Sequence, residues 1–157
     1  MNVFLDTSFF VDFFRGKQEA KEIYEQIDSE ELYTSMNVLE ETTYILMKLK
    51  ASDLTGIKKH HELLKELKKN EKVYRDCFNL SKDFFSSLLK WNVNVLPVTL
   101  SWDNVLEVME KYRLLPNDAL IAVTCKHYGI KKIATFDPDF KRVDFLEVID
   151  SSYSDTV

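Results

Sequence analysis

Acidic side chains stand at three points where an element of secondary structure is expected to begin or end. Asp6 follows the apolar run 2–5, and Asp137 follows the apolar run 132–136. Asp118 lies at the predicted start of a helix. In parallel α/β sheets, functional groups gather beyond the carboxyl ends of the strands, where the following helices also begin. The spacing therefore predicts that three carboxylates meet at one edge of a sheet.

Each of these aspartates also has an ordinary structural explanation. Asp6 could cap the helix that follows it, and Asp118 in a first helical turn is favoured by the helix dipole. Asp137, followed by Pro138 and Asp139, could simply form a turn. Because all three occupy equivalent points of the predicted topology, a shared site is the better interpretation.

A fourth carboxylate is expected from the amphipathic helix predicted over 36–49. At about 100° per residue, Glu41 falls at the edge of the apolar face and Glu40 falls roughly opposite that face. An edge carboxylate can point into a cleft along the core boundary, whereas one on the far face points to water. The pattern selects Glu41, although the adjacent pair leaves the register open by one residue.

Several carboxylates in one cleft cannot all stay ionised without a partner of opposite charge. No Lys or Arg stands beside them in the sequence. Mg²⁺ and Mn²⁺ prefer carboxylate and water oxygens as ligands. Such ions bind phosphate, activate water and stabilise a leaving oxygen, so the constellation predicts phosphodiester hydrolysis.

Apolar periodicity predicts the elements that position these side chains. Short apolar runs predict strands at 2–5, 31–35, 93–98, 132–136 and 145–149. Three- and four-residue spacing predicts helices from 7 or 8 to 15, and at 18–28, 36–49, 53–69, 72–91, 102–112 and 118–128. Asn117 is the predicted cap of the last helix. The alternation of helices and strands favours an α/β sandwich around a parallel sheet.

Length and charge set broad limits on this reading. A chain of 157 residues suits a single domain, which we place at 1–149, with a flexible polar tail at 150–157. A formal net charge of −5 is unlike that of most nucleic-acid binders. Bound divalent cations would nevertheless make a carboxylate cleft locally positive.

The cysteines and the N-terminal segment indicate a cytoplasmic protein. Cys77 and Cys125 lack CxxC spacing and lie among apolar neighbours, so we expect buried thiols in a reducing compartment. The apolar stretch after Asp6 is interrupted by Asp12 and Arg15. It therefore predicts neither a signal peptide nor a membrane span.

Four segments, in this order along nearly the whole chain, resemble the motifs of PIN-domain nucleases. They are residues 3–8 (VFLDTS), 35–41 (SMNVLEE), 115–122 (LPNDALIA) and 134–140 (ATFDPDF). The chain looks most like VapC-type toxins or their free-standing archaeal relatives. The resemblance implies a three-layer α/β/α sandwich around a central parallel sheet of four or five strands. It also implies Mg²⁺- or Mn²⁺-dependent cleavage of RNA.

The resemblance further implies roles for individual residues. Catalysis would rest on Asp6, Glu41, Asp118 and Asp137. The first three would be metal ligands, Asp137 would complete the set or bind through water, and Asp139 would be a weaker metal ligand. Thr7 and Thr135 match hydroxyl positions that orient the carboxylates. Asn37 departs from the family's usual apolar run.

Partners are also implied by the resemblance. VapC-type toxins suggest an RNA substrate, a homodimer, and a small antitoxin protein that blocks the cleft. The aromatic residues Phe9, Phe10 and Phe13 could stack on bases, but their helical spacing favours core packing or a dimer contact.

Three alternative functions compete with this interpretation. A haloacid-dehalogenase-type phosphatase would need a second aspartate two residues after Asp6, where the chain has Ser8. A deoxyribonuclease could use the same carboxylate site. A non-catalytic RNA-binding or scaffold domain would retain the fold but is expected to lose acidic residues, and all five acidic positions are present here.

Overall fold

Five short parallel strands form one sheet in the computed structural model, which describes residues 1–98 and 100–150. The strands are β1 (Asn2–Leu5), β2 (Glu31–Ser35), β3 (Asn94–Leu96), β4 (Lys132–Ala134) and β5 (Glu147–Ile149). Their order across the sheet is β3-β2-β1-β4-β5. β1 is thus the central strand, and β3 is the edge strand expected near Pro97.

Seven α-helices connect these strands in the described part of the chain. They are α1 (Thr7–Phe14), α2 (Gln18–Ile27), α3 (Met36–Thr55), α4 (His60–Lys69), α5 (Glu71–Lys90), α6 (Trp102–Tyr112) and α7 (Pro116–His127), followed by a 3₁₀ turn over Pro138–Arg142. Each connection between strands contains at least a helical turn, which lets consecutive strands run parallel. The predicted α/β sandwich around a parallel sheet is confirmed.

The core forms around the central strand. Val3, Phe4 and Leu5 of β1 are at most 1% exposed, as expected for a parallel strand covered on both faces. Phe10 of α1 is also fully buried, and its ring meets that of Phe84 edge-on with centroids 5.2 Å apart. The aromatic residues at the start of α1 therefore pack in the core, and base stacking by the buried ones is excluded.

Two predicted helix boundaries are wrong. α3 runs to Thr55, not to 49, and the helix predicted over 53–69 begins only at His60. Gly56 ends α3 with φ at 73°, and its N–H donates to the Ser52 carbonyl at 2.8 Å. A glycine in this left-handed conformation is a common helix terminator, because it lacks the Cβ that would clash.

The predicted cap of α7 is also wrong. Leu115 is the N-cap and Pro116 occupies the first helical turn, where a fixed φ and a missing N–H cost nothing. Asn117 is therefore inside the helix, and its side chain is available for other contacts.

Three further expectations concern the cysteines, membrane segments and the tail. Cys77 and Cys125 are buried free thiols, as predicted. Among the described residues, no helix has the length and apolar character needed to cross a membrane. Of the tail predicted at 150–157, Asp150 forms an ion pair with Lys141 at 3.1 Å, and 151–157 lie outside the described residues.

Candidate active site

The carboxyl ends of β1 and β4 open into a cleft of about 260 Å³. It is lined by Asp6, Thr7, Ser8, Val11, Asp12, Glu41, Ile45, Asp118 and Asp137. The fold thus brings together four of the five acidic residues singled out from the sequence. Asp12, which the sequence did not single out, also lines the cleft and forms an ion pair with Lys17 at 3.5 Å.

Asp6 is held rigidly at the base of the cleft. Its backbone N–H donates to the Ala134 carbonyl at 3.1 Å, which joins the end of β1 to the end of β4. Its Oδ2 accepts hydrogen bonds from Thr135 Oγ1 at 2.7 Å and from Ser8 Oγ at 3.3 Å. Burial raises the pKa of Asp6 to about 6, against the lowering effect of the hydrogen bonds from Thr135, the Thr7 backbone and Ser8.

The same two hydroxyls shape the turn after β4. Ser8 Oγ accepts from the backbone N–H of Phe136 at 2.8 Å, and Thr135 Oγ1 accepts from that of Asp137 at 3.0 Å. These side-chain bonds occupy backbone donors that a longer strand would have paired, so β4 ends at Ala134 and not at 136. Sequence reasoning missed Ser8, although a hydroxyl two residues after an aspartate is a recognisable turn signal.

Asp118 lies in the first turn of α7 beside Asp137. One carboxylate oxygen from each of Asp118, Asp137 and Asp139 can be chosen such that all three lie within 4.8 Å of one another. Burial, followed by the negative charges of Asp137, Asp6 and Glu41, raises the pKa of Asp118 to about 7. The cluster therefore holds more negative charge than it can keep ionised without a cation.

Asp139 differs from the other acidic residues because it already has a cationic partner. Its Oδ1 accepts from Arg142 Nη1 at 2.9 Å, and it is absent from the cleft lining. Arg142 also donates to the backbone carbonyls of Tyr112 at 2.9 Å and Arg113 at 2.8 Å. This arginine, which the sequence did not single out, ties the end of α6 to the turn that carries Asp139.

The neighbouring glutamates of α3 take different positions. Glu41 is half-buried and lines the cleft, whereas Glu40 is exposed and does not. Burial, and next the charge of Glu40, raise the pKa of Glu41, while the nearby Thr7 hydroxyl and the hydrogen bond from Asn117 lower it. The structure therefore places Glu41, rather than Glu40, at the cleft.

A chain of polar side chains leads from the end of β2 to Glu41. Ser35 Oγ donates to Asn37 Oδ1 at 2.5 Å, and Asn37 Nδ2 donates to Asn117 Oδ1 at 2.9 Å. Asn117 Nδ2 in turn donates to Glu41 Oε2. Asn37, which departs from the family pattern, is thus one of the two inner members of this chain. Asn117 is the other, and it acts here and not as a helix cap.

The residues present fit a hard divalent cation. Polar side chains that line the cleft offer only oxygen atoms, and no Lys or Arg is among the described lining residues. The Thr7 hydroxyl is buried and lies close enough to Glu41 to lower its pKa, yet it makes no hydrogen bond of good geometry. Oxygen donors of this kind are the preferred ligands of Mg²⁺ and Mn²⁺.

The amino-acid sequence of the chain is similar to those of a known family and of one of its named members. The family model described as the PIN domain matches residues 3–146. Ribonuclease VapC2 of Methanocaldococcus jannaschii is 35% identical over 151 residues, which cover 94% of this chain and 93% of that protein.

Solved structures show the same fold at lower sequence identity. VapC20 of Mycobacterium tuberculosis, described as a sarcin-ricin loop cleaving toxin, superposes with a TM-score of 0.59 at 22% identity, covering 93% of this chain and 98% of that one. A chain of a toxin-antitoxin complex from Klebsiella pneumoniae gives a TM-score of 0.57 at 18% identity, covering 95% and 97%.

Proposed function

The chain belongs to the PIN-domain family, and from this premise we propose that it is a metal-dependent endoribonuclease that hydrolyses RNA phosphodiester bonds. The observation that carries the proposal is the oxygen-lined cleft, where five carboxylates converge and no basic side chain is among the described lining residues. The 35% identity to a protein named as a ribonuclease, over 94% of this chain, supports the same substrate class.

In this proposal Asp6, Glu41, Asp118 and Asp137 hold the cation, which is Mg²⁺ or Mn²⁺. Asp139 contributes more weakly because Arg142 already neutralises part of its charge. When bound, the ion would bind the substrate phosphate, activate water and stabilise the leaving oxygen.

The chain's own hydroxyls and amides prepare the carboxylates for this task. Thr135 and Ser8 hold one oxygen of Asp6 by hydrogen bonds, and Asn117 holds one oxygen of Glu41 in the same way. Fixed orientation matters because ligands that need not reorganise bind a metal more tightly and align it better with substrate. Asp118 would release its proton as the cation binds, since its pKa lies near 7.

The proposal includes a biological role as the toxin of a toxin–antitoxin pair, with a small antitoxin protein as partner. The likeness of this fold to a chain of a toxin-antitoxin complex supports that role. A homodimer is also expected from the family resemblance. Co-purification with a small protein encoded next to this chain would test the role separately from the chemistry.

Removal of the metal provides the direct test of the proposed activity. We expect the purified protein to cleave a mixed pool of single-stranded and structured RNA in Mn²⁺, to stop in chelator, and to recover when Mn²⁺ is restored. Single-stranded DNA in parallel reactions would identify a deoxyribonuclease instead. Absence of cleavage, together with absence of Mn²⁺ binding in calorimetry, would favour the non-catalytic scaffold and reject the proposal.

Asn117 offers a test of how Glu41 is positioned. We expect Asn117→Leu to weaken Mn²⁺ binding about tenfold, because Glu41 loses the amide that orients it and Asn37 loses its acceptor. Mn²⁺ affinity, measured by electron paramagnetic resonance, is the readout. Asn79→Leu, at an exposed position of α5, is the matched control. Equal Mn²⁺ affinity in both variants would show that this hydrogen bond does not position the ligand.

A further inference from the structure

A second depression lies farther along α1 and α3, next to the residues of these helices that line the cleft. It has a volume of about 300 Å³ and is lined by Phe14, Arg15, Leu46, Leu49, Lys50, Asp53 and Leu80. The cleft is lined by Val11 and Asp12 on α1 and by Ile45 on α3. Leu49 lies four residues beyond Ile45 on α3, and Arg15, the C-cap of α1, lies four residues beyond Val11, which is about 6 Å along each helix axis. Residues four apart share one helix face, so the second depression, here called the α1–α3 groove, is the neighbour of the cleft on the same faces of these helices.

The basic side chains of this groove are available for a ligand. Arg15 is exposed and Lys50 is half-buried. Neither forms an ion pair with any residue in the described part of the chain, whereas Lys17 is already engaged by Asp12. Lys48, two residues before Lys50 on α3, lies instead over the ring of Tyr44.

Acidic and basic side chains follow one another along α1 and α3, starting from the cleft. Carboxylates cluster at the cleft, two unpaired cations follow one helical turn away, and Asp53 stands one turn beyond Leu49 on α3. A nucleic acid needs positive contacts to its phosphates, and a chain with a net charge of −5 must supply them locally. The two cations, followed by an acidic residue, form a short basic segment that suits one or two phosphates of a single strand.

We propose that this α1–α3 groove binds single-stranded RNA beside the phosphate that is cleaved, with Arg15 and Lys50 contacting neighbouring backbone phosphates. The inference rests on the proposed ribonuclease function. The half-buried side chains of Phe14 and Leu49, each next in sequence to one of the two cations, also line the groove and accept the ribose and base surfaces. A single pair of cations matches one phosphate chain and not the two strands of a duplex.

The test compares the double variant Arg15→Gln/Lys50→Gln with a charge-matched control, Lys65→Gln/Lys68→Gln, on the exposed face of α4. Binding of a short fluorescein-labelled oligouridine is followed by anisotropy over a range of salt concentrations. Ca²⁺, which takes the same oxygen ligands, replaces Mn²⁺ so that cleavage does not interfere. KM and kcat for the same RNA are then measured in Mn²⁺.

We expect the groove variant to bind RNA about tenfold more weakly, with the slope of log K against log salt reduced by about 1.4, or about 0.7 for each lost phosphate contact. KM should rise while kcat changes little, and the control should match the parent protein. An unchanged salt slope in the groove variant would overturn the proposal and leave the groove to another kind of partner. Parent protein that binds RNA through these residues but never cleaves it would reject only the ribonuclease function.

Discussion

Asp118→Asn should lower the rate of metal-dependent RNA cleavage by about three orders of magnitude, which corresponds to about 4 kcal/mol of lost transition-state stabilisation. Among the neighbouring charges, that of Asp137 raises the pKa of Asp118 most. The Asp118 carboxylate is proposed to bind the cation directly. The amide is nearly the same size but carries no negative charge. The substitution should therefore remove the metal and leave the fold intact.

Asp139→Asn should have a much smaller effect, about tenfold, on the same reaction. Asp139 lies near Asp118 and Asp137, but Arg142 binds its carboxylate and it does not line the cleft. Its contribution is thus to position the turn rather than to supply a strong ligand. Glu40→Gln is the control for the loss of one nearby negative charge, because Glu40 is exposed next to Glu41.

Cleavage rates and Mn²⁺ affinities of the three variants, measured on one RNA, distinguish these roles. We expect the highest cleavage rate in Glu40→Gln, a lower rate in Asp139→Asn and the lowest rate in Asp118→Asn. Circular dichroism and thermal melting would show that each variant is folded. Full activity in a folded Asp118→Asn protein would refute the assignment of this residue, whatever the behaviour of the other two.

The metal-free protein should lose stability as the pH rises, contrary to the behaviour of most proteins with ion-paired carboxylates. The pKa values of Asp6 and Asp118 in the folded protein are about 6 and about 7, against a usual value of 3.8. Between the usual value and these raised values, the folded protein binds more protons than the unfolded chain. The stabilisation that these two raised pKa values provide is complete below about pH 4 and is lost as the pH rises through about 7.

We expect the free energy of unfolding in chelator to fall by about 4 kcal/mol between about pH 4.5 and about pH 8. This free energy is less than the two pKa shifts together would give, because Asp118 is only partly buried and water screens its charge. Urea denaturation at the two pH values measures the difference. Saturating Mn²⁺ should remove most of it by neutralising the ionised carboxylates.

Asp118→Asn supplies the matched variant for this prediction. The amide stays neutral at every pH, so the variant should be more stable than the parent at about pH 8 in chelator and less dependent on pH. Glu40→Gln should behave like the parent, since its side chain is exposed. Stability that is constant or increases with pH in the metal-free parent would contradict the crowding of uncompensated carboxylates in the cleft.

Local sequence determined the elements that carry the cleft. Apolar runs that end in Asp6 and Asp137 predict buried strands with acidic residues at their carboxyl ends, and helical periodicity separates Glu41 from Glu40. These properties depend on neighbours within a few residues, where period and propensity act directly. The missed end of α3 at Gly56 was also local, because a glycine two residues after Leu54 is a recognisable stop signal.

Other features depend on elements that are far apart in the chain. The bond from Thr135 to Asp6 joins residues 129 positions apart, and the bond from Asn37 to Asn117 spans 80. No periodicity encodes such pairs, since each side chain is equally suited to a local cap or turn. Asn117 illustrates this: its residue type predicted a cap, but Pro116 occupies the first turn and frees the amide for Glu41.

The charge environment of each acidic residue was likewise decided by tertiary structure. Asp118 and Asp139 are both predicted as acidic site residues by their motifs, yet one faces other carboxylates and the other binds Arg142. Burial and neighbouring charge set a pKa, and both require that α6, α7 and the turn after β4 be brought together. The residue types that form the cleft could thus be predicted from the sequence, whereas the strength with which each binds a proton or a cation depends on how the folded elements pack.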